Sequence, residues 1–133
     1  MIALSGDFEI GYDDVGTGEP VLFLHGFPHN RTLWAAQLGA LFDRARCIAP
    51  DLRGFGESTV AAPYSMNQYA DDAVALLDAL RIERAVVCGL SMGGYVALAI
   101  WRRHRARVRG LILMDTRAGS DSPAGRVRRD EMI

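Results

Sequence analysis

The chain contains no lysine; all fifteen of its basic residues are arginine. So complete a bias reads as the coding preference of a GC-rich genome rather than as a functional signature. Sixteen acidic residues bring the formal net charge to −1, so the net basic surface needed to bind nucleic acid is missing. Two cysteines in 133 residues are too few for a disulfide scaffold. No apolar run approaches the roughly 20 residues of a membrane-spanning helix, and no membrane association is expected. Residues 1–7 lack the basic start and long apolar stretch of a secretory signal. Disorder needs low hydrophobicity and high net charge, yet half of the residues are apolar and only 23% are charged. These absences leave one soluble, cytoplasmic α/β-type protein as the expectation.

What is present is an alternation of short apolar runs and longer periodic segments. Residues 8–12 alternate with period two and predict a half-buried strand. Residues 13–20 carry turn chemistry at Gly16, Gly18 and Pro20. The run Val21, Leu22, Phe23, Leu24 predicts a buried central strand. Residues 31–43 predict a helix, 45–49 a strand stopped by Pro50, and 51–63 a loop. Ser65 and Gln68 spell a capping box opening a helix with Ala70, Ala73, Val74, Leu77 and Leu80 on one face. Strand 85–88, helix 92–105 and strand 110–114 follow, and 115–133 carries no strand signal. Strands alternating with helices predict a mostly parallel, twisted sheet with helices on both faces.

One segment carries chemistry. Gly89-Leu90-Ser91-Met92-Gly93 places a Gly-x-Ser-x-Gly pattern between a buried strand and a helix. That is the context of a nucleophile elbow, where a sharp turn exposes the serine hydroxyl and small neighbours avoid clashes. The helix start offers free N–H groups and the positive dipole end to a developing oxyanion. A dinucleotide fingerprint is the competing reading of Gly89, Ser91 and Gly94, but its middle position must be glycine and is Ser91 here. After strand 21–24 come His25, Gly26, Phe27 and Pro28, a loop able to supply a second oxyanion donor.

Together these residues make the chain resemble the α/β-hydrolase fold superfamily. His25-Gly26-Phe27-Pro28 is similar to its HGxP oxyanion motif, and Asp51-Leu52-Arg53-Gly54-Phe55-Gly56-Glu57-Ser58 to its D-x-R-G-x-G-x-S loop. Residues 89–94 are similar to its elbow, and the likeness runs from about residue 8 onward, nearest the branch of small esterases, enol-lactonases and C–C-bond hydrolases. The resemblance implies Ser91 as nucleophile and the backbone amides of Phe27 and Met92 as oxyanion hole. It implies structural parts for His25, Asp51 and Arg53. A serine at the elbow argues against the epoxide-hydrolase and haloalkane-dehalogenase branches, which use aspartate there. Strand order in the family puts Cys47 and Cys88 on strands flanking 21–24. They would then be about 9.6 Å apart, too far for a disulfide. Phe27, Trp34, Met92 and Tyr95 are candidates to line a substrate pocket, with core packing the alternative for Trp34, Met92 and Tyr95.

A serine nucleophile needs a base, and the base an orienting acid, in the family order Ser, acid, His. His104 is the sole histidine after Ser91. It lies 13 residues along the helix, about 20 Å away, and precedes the acid candidate Asp115. His29, in the oxyanion loop, is the other base considered. Asp115 follows strand 110–114, where ligands meet such sheets; a turn or helix-capping role is the alternative. The resemblance therefore implies a core truncated after its sixth strand. Residues 1–116 would form the N-terminal part of the core and 117–133 the start of a cap. A further half, on the same or another chain, would supply histidine and acid. A sheet ending at 110–114 also leaves an apolar edge open. Residues Arg102 to Arg109 form a basic cluster suited to a helix C-terminus.

The expected activity is hydrolysis of small carboxylic esters or lactones through an acyl-enzyme, with no metal or organic cofactor. The alternatives are a C–C-bond hydrolase or cofactor-free perhydrolase on the same scaffold, and an inactive hydrolase half that acts as a binding module.

Overall fold

The apolar run at 21–24 becomes the middle of a six-stranded sheet in the computed structural model, which describes residues 1–132. The strands are β1 (Ile2–Ser5), β2 (Phe8–Val15), β3 (Glu19–Leu24), β4 (Ala45–Pro50), β5 (Ala85–Leu90) and β6 (Val108–Met114), and the helices α1 (Ala35–Leu41), α2 (Met66–Ala79), α3 (Met92–Arg103) and α4 (Pro123–Met132). The spatial order is β1-β2-β4-β3-β5-β6. Pairings β3/β4, β3/β5 and β5/β6 are parallel, and β1/β2 and β2/β4 antiparallel. The crossover from β3 to β4 and back past β3 to β5 makes a doubly wound centre, with an antiparallel margin on one side.

Side chains alternate across the central strands, so each face builds its own core. Leu22, Leu24, Ile48 and Val87 pack with Tyr69, Ala73 and Leu77 of α2 and Val96, Ala97 and Ile100 of α3. Phe23, Cys47, Ala49 and Cys88 point the other way, onto Trp34 and Leu38. Cys47 and Cys88 are both buried, free thiols. Burial pushes the Cys47 thiol pKa up, and that of Cys88 to about 11.

Local differences from the sequence expectations have physical causes. Strand β2 runs through the turn-prone Asp13 and Asp14 to Val15 because β4 pairs with it and supplies Arg46, bonded to Asp14 at 3.0 and 2.7 Å. The 31–43 helix is instead a 3-10 turn, Arg31–Trp34, followed by α1. Asn30 caps that turn, its side chain accepting from the Thr32 N–H at 3.0 Å, and Trp34 swings in to Phe23 at 5.1 Å. Only half of the capping box forms. Ser65 Oγ accepts from the Gln68 N–H, but the Gln68 amide donates to Asp72 instead of turning back. Strand β1 goes unsignalled because Ile2 and Leu4 face outward. Helix α4 is polar, and its start is marked by Ser122, which accepts the Gly125 N–H before Pro123. Arg102 and Arg103 stand in the last turn of α3, and the arginines of this cluster also find individual partners: Arg102 bonds Asn67, Arg103 bonds Asp71, and Arg107 bonds Asp78. Among the described residues no helix is long and apolar enough to cross a membrane.

Candidate active site

Ser91 is the residue between β5 and α3, with φ 51° and ψ −114°. This left-handed, strained backbone is one that L residues rarely hold without support. The flanking glycines are required by contact. A Cβ on Gly89 would collide with the Gly93 carbonyl, one on Gly93 with the Leu24 carbonyl, and one on Gly94 with the Thr116 side chain. Met92 begins α3, so no carbonyl of its own helix lies four residues back to receive its N–H. The helix N-terminus thus faces the space over Ser91.

The loop after β3 passes directly over the serine. A Cβ on Gly26 would stand 3.3 Å from Ser91 Cβ and 3.9 Å from its Oγ. The loop is tied down at both ends to two consecutive residues. At one end His25 is fully buried; its Nε2 accepts the Leu52 N–H at 2.9 Å. That fixes the proton on Nδ1, which donates to the Gly26 carbonyl at 2.9 Å. Burial holds the His25 pKa below its usual 6.5, so the ring is neutral. Both nitrogens are committed to backbone, and His25 is an anchor. At the other end the Arg31 N–H donates to Asp51 Oδ1 at 2.8 Å, and the Arg31 guanidinium meets Asp51, Glu57 and Asp13. Asp51 also accepts the Glu57 N–H at 2.9 Å. Phe27, between the two ties, stands edge-on to Phe55 at 6.0 Å. Arg53 points away from the serine. It pairs with buried Asp72 through two 2.8 Å bonds and lies 4.0 Å over the Phe8 ring. Asp51 and Arg53 are therefore engaged by neighbouring loop and helix residues.

On the other side of Ser91 stands β6. Leu90 and Met114 are partners in the parallel register, so Ser91 and Asp115 emerge side by side from adjacent strands. The Ser91 N–H donates to the Met114 carbonyl at 3.0 Å. Asp115 has φ 45° and is exposed. Ser91, Tyr95, Asp115, Thr116 and Arg117 line one open depression of about 380 Å³. Tyr95 and Arg117 share a side-chain hydrogen bond there.

Not every expected site residue gathers here. Trp34 is 2% exposed, sealed between Phe23 and Leu38 on the α1 face, so the expectation that it contacts substrate is corrected: it is core. The Met92 side chain is buried in the core under α3, and only its backbone can reach the site. His104 sits past the far end of α3, its Nε2 bonded to Asp71 at 2.7 Å. His29 is exposed in the oxyanion loop. Two residues were missed from the sequence. Arg31 closes the loop clamp. The Thr116 hydroxyl donates to the Ser91 carbonyl at 2.8 Å. Neither stands in a motif, and their partners are 18 to 26 residues away. Among the described residues no three His, Cys, Asp or Glu side chains are placed to hold a metal ion.

Known proteins are similar to this chain in sequence and fold. The profile of the alpha/beta hydrolase fold matches residues 19–130. A thermophilic esterase from Thermogutta terrifontis superposes with a TM-score of 0.90 at 50% identity, over 97% of this chain and 48% of that one. A 2-hydroxymuconate semialdehyde hydrolase of a Pseudomonas species is 43% identical over 115 residues, 83% of this chain and 40% of its own length. Haloalkane dehalogenase 2 of Mycobacterium tuberculosis is 37% identical over 109 residues, 80% of this chain and 38% of its own. The chain thus spans less than half the length of each. Matched over most of its residues and superposed on an esterase with the same sheet, it belongs to the α/β-hydrolase fold family.

Proposed function

We propose that Ser91 is the nucleophile of a serine hydrolase acting on small carboxylic esters or lactones. The relatives span ester, C–C and carbon–halogen chemistry by name, so the reaction has to be argued from the site. The observation that carries the reading is Ser91 itself, held at positive φ beneath the Gly26 loop and ahead of α3. In the proposed cycle Ser91 Oγ bonds the acyl carbon as its proton passes to a base. The oxyanion then rests on the N–H groups of Phe27 and Met92. Collapse expels the alcohol, which takes the proton, and water repeats the attack to release the acid. Asp115 is the candidate acid, because it emerges beside Ser91. The base is expected from outside the described residues: His25 is spent on backbone, His104 on Asp71, and His29, the remaining candidate, is exposed on the loop after β3. A histidine brought by a further segment or a second chain fits that need. The 43% identity to a semialdehyde hydrolase favours C–C cleavage as the second reading, with the same serine.

The test is a fluorophosphonate probe, which bonds a serine only when a base activates it, followed by intact mass and peptide mapping. The expected result is one adduct on Ser91, absent from Ser91→Ala. A cooperatively folded wild type without an adduct overturns the catalytic reading and leaves the third role, a ligand-binding hydrolase half.

A further inference from the structure

Ser91 keeps a backbone conformation that persists only when its surroundings over-determine it. Its N–H is taken by the Met114 carbonyl at 3.0 Å. Its carbonyl receives two donors, the Gly94 N–H at 2.9 Å from within the turn and the Thr116 Oγ1 hydroxyl at 2.8 Å from across it. Both lateral bonds therefore come from Met114 and Thr116, at and just past the end of β6. The fit is tight from either side: Gly94 must be glycine because Thr116 occupies the space where its Cβ would stand. Asp115, between the two bonded residues, is forced outward with φ 45°, into the depression it shares with Ser91.

The Ser91 carbonyl and the Met92 N–H belong to one peptide group, which is planar and trans. Whatever holds the carbonyl oxygen also sets the direction of that N–H. We propose that Thr116 is a positioning residue of the oxyanion hole: its hydroxyl, bonded to the Ser91 carbonyl, aims the Met92 N–H at the reacting carbonyl oxygen. This rests on the serine-hydrolase reading above. The bond also polarises the 91–92 peptide, because a carbonyl that accepts a hydrogen bond makes its own amide a stronger donor. No other side chain is seen bonded to either backbone group of Ser91 among the described residues. The Thr116 hydroxyl thus acts without touching substrate.

The test compares wild type with Thr116→Val, which keeps the shape and removes the hydroxyl, and Thr116→Ser, which restores it. Two readouts are taken on each protein: the rate of fluorophosphonate labelling at Ser91, and the amide nitrogen resonance of Met92, which responds to hydrogen bonding at the Ser91 carbonyl. The expected result is labelling about tenfold slower in Thr116→Val, a fraction of the loss from deleting an oxyanion donor outright. The Met92 nitrogen should shift upfield in the same variant. Thr116→Ser should return both to near the wild-type values. A purely packing role would spare the isosteric Thr116→Val and impair Thr116→Ser, which lacks the methyl, and that outcome overturns the proposal. So does a Thr116→Val protein with an unmoved Met92 resonance or unchanged labelling. Should the wild type itself fail to label, the hydrolase reading falls, and the Met92 resonance alone decides whether Thr116 holds the peptide.

Discussion

The two flanks of Ser91 are built differently. On the β4 flank the loop after β3 is locked at both ends onto Asp51 and Leu52, with His25 and Asp51 at 0% and 2% exposure. On the β6 flank, Met114 and Thr116 reach the serine by one bond each, Asp115 is exposed, and Ile112, Leu113 and Met114 are 47%, 44% and 39% exposed. One flank is a finished polar interior and the other a surface. The difference shows where the chain is most precisely held. The loop over Ser91 is held by buried, hydrogen-bonded groups, which are costly to disturb. The acid candidate stands where substitution costs little.

The same change made on each flank would break or sharpen that contrast. Asp51→Asn leaves the Arg31 guanidinium facing a neutral amide in a buried setting. It is expected to cost about 3 kcal/mol, as one-sided removal of a buried ion pair does, and urea unfolding measures it. A loss under about 1 kcal/mol would mean that Glu57 and Asp13 hold Arg31 well enough alone. Second in size is a pH effect. Burial places the folded His25 pKa below the unfolded 6.5, so the unfolded chain binds the extra proton and stability rises with pH between the two values. As pH falls through 6.5, stability should drop by up to about 1.4 kcal/mol per unit. Arg103 holds Asp71 below its usual 3.8, so that group enters only in stronger acid. Unfolding curves from pH 8 to pH 5 should be flatter for His25→Gln; parallel curves would sink the buried-anchor account. Smallest is Asp115→Asn, expected within about 0.5 kcal/mol of wild type as an exposed substitution. Its fluorophosphonate labelling should nevertheless slow by about tenfold or more if this carboxylate orients the base. A stability loss like that of Asp51→Asn would erase the contrast between the flanks.

The readable parts of the site are those whose chemistry is local. Gly89, Ser91 and Gly93 reveal the elbow because each glycine is demanded by an atom of the same turn or the strand beside it. His25 and Gly26 are readable through the His-Gly-x-Pro pattern they begin, although their contacts, Leu52 and Ser91, lie far along the chain. Arg31 is not, because its meaning comes from Asp13, Asp51 and Glu57, which only the folded sheet brings together. Thr116 is a common residue in a polar stretch, and its contact lies 25 positions back. Trp34 shows the opposite error. An aromatic near the oxyanion motif suggests a pocket wall, yet the 3-10 turn carries it beneath the sheet. The fold was plain in the central strands, where apolar runs are continuous. It was faint at β1, where two of four side chains face water.

The two thiols on β4 and β5 have a practical consequence. Cys47 and Cys88 are 0% and 2% exposed under the α1 layer, on either side of the strand that carries the oxyanion loop. A thiol reagent can reach them only when that layer lifts. Their alkylation rate is therefore a clock for the breathing of the central sheet, and it runs whether or not the serine turns over a substrate.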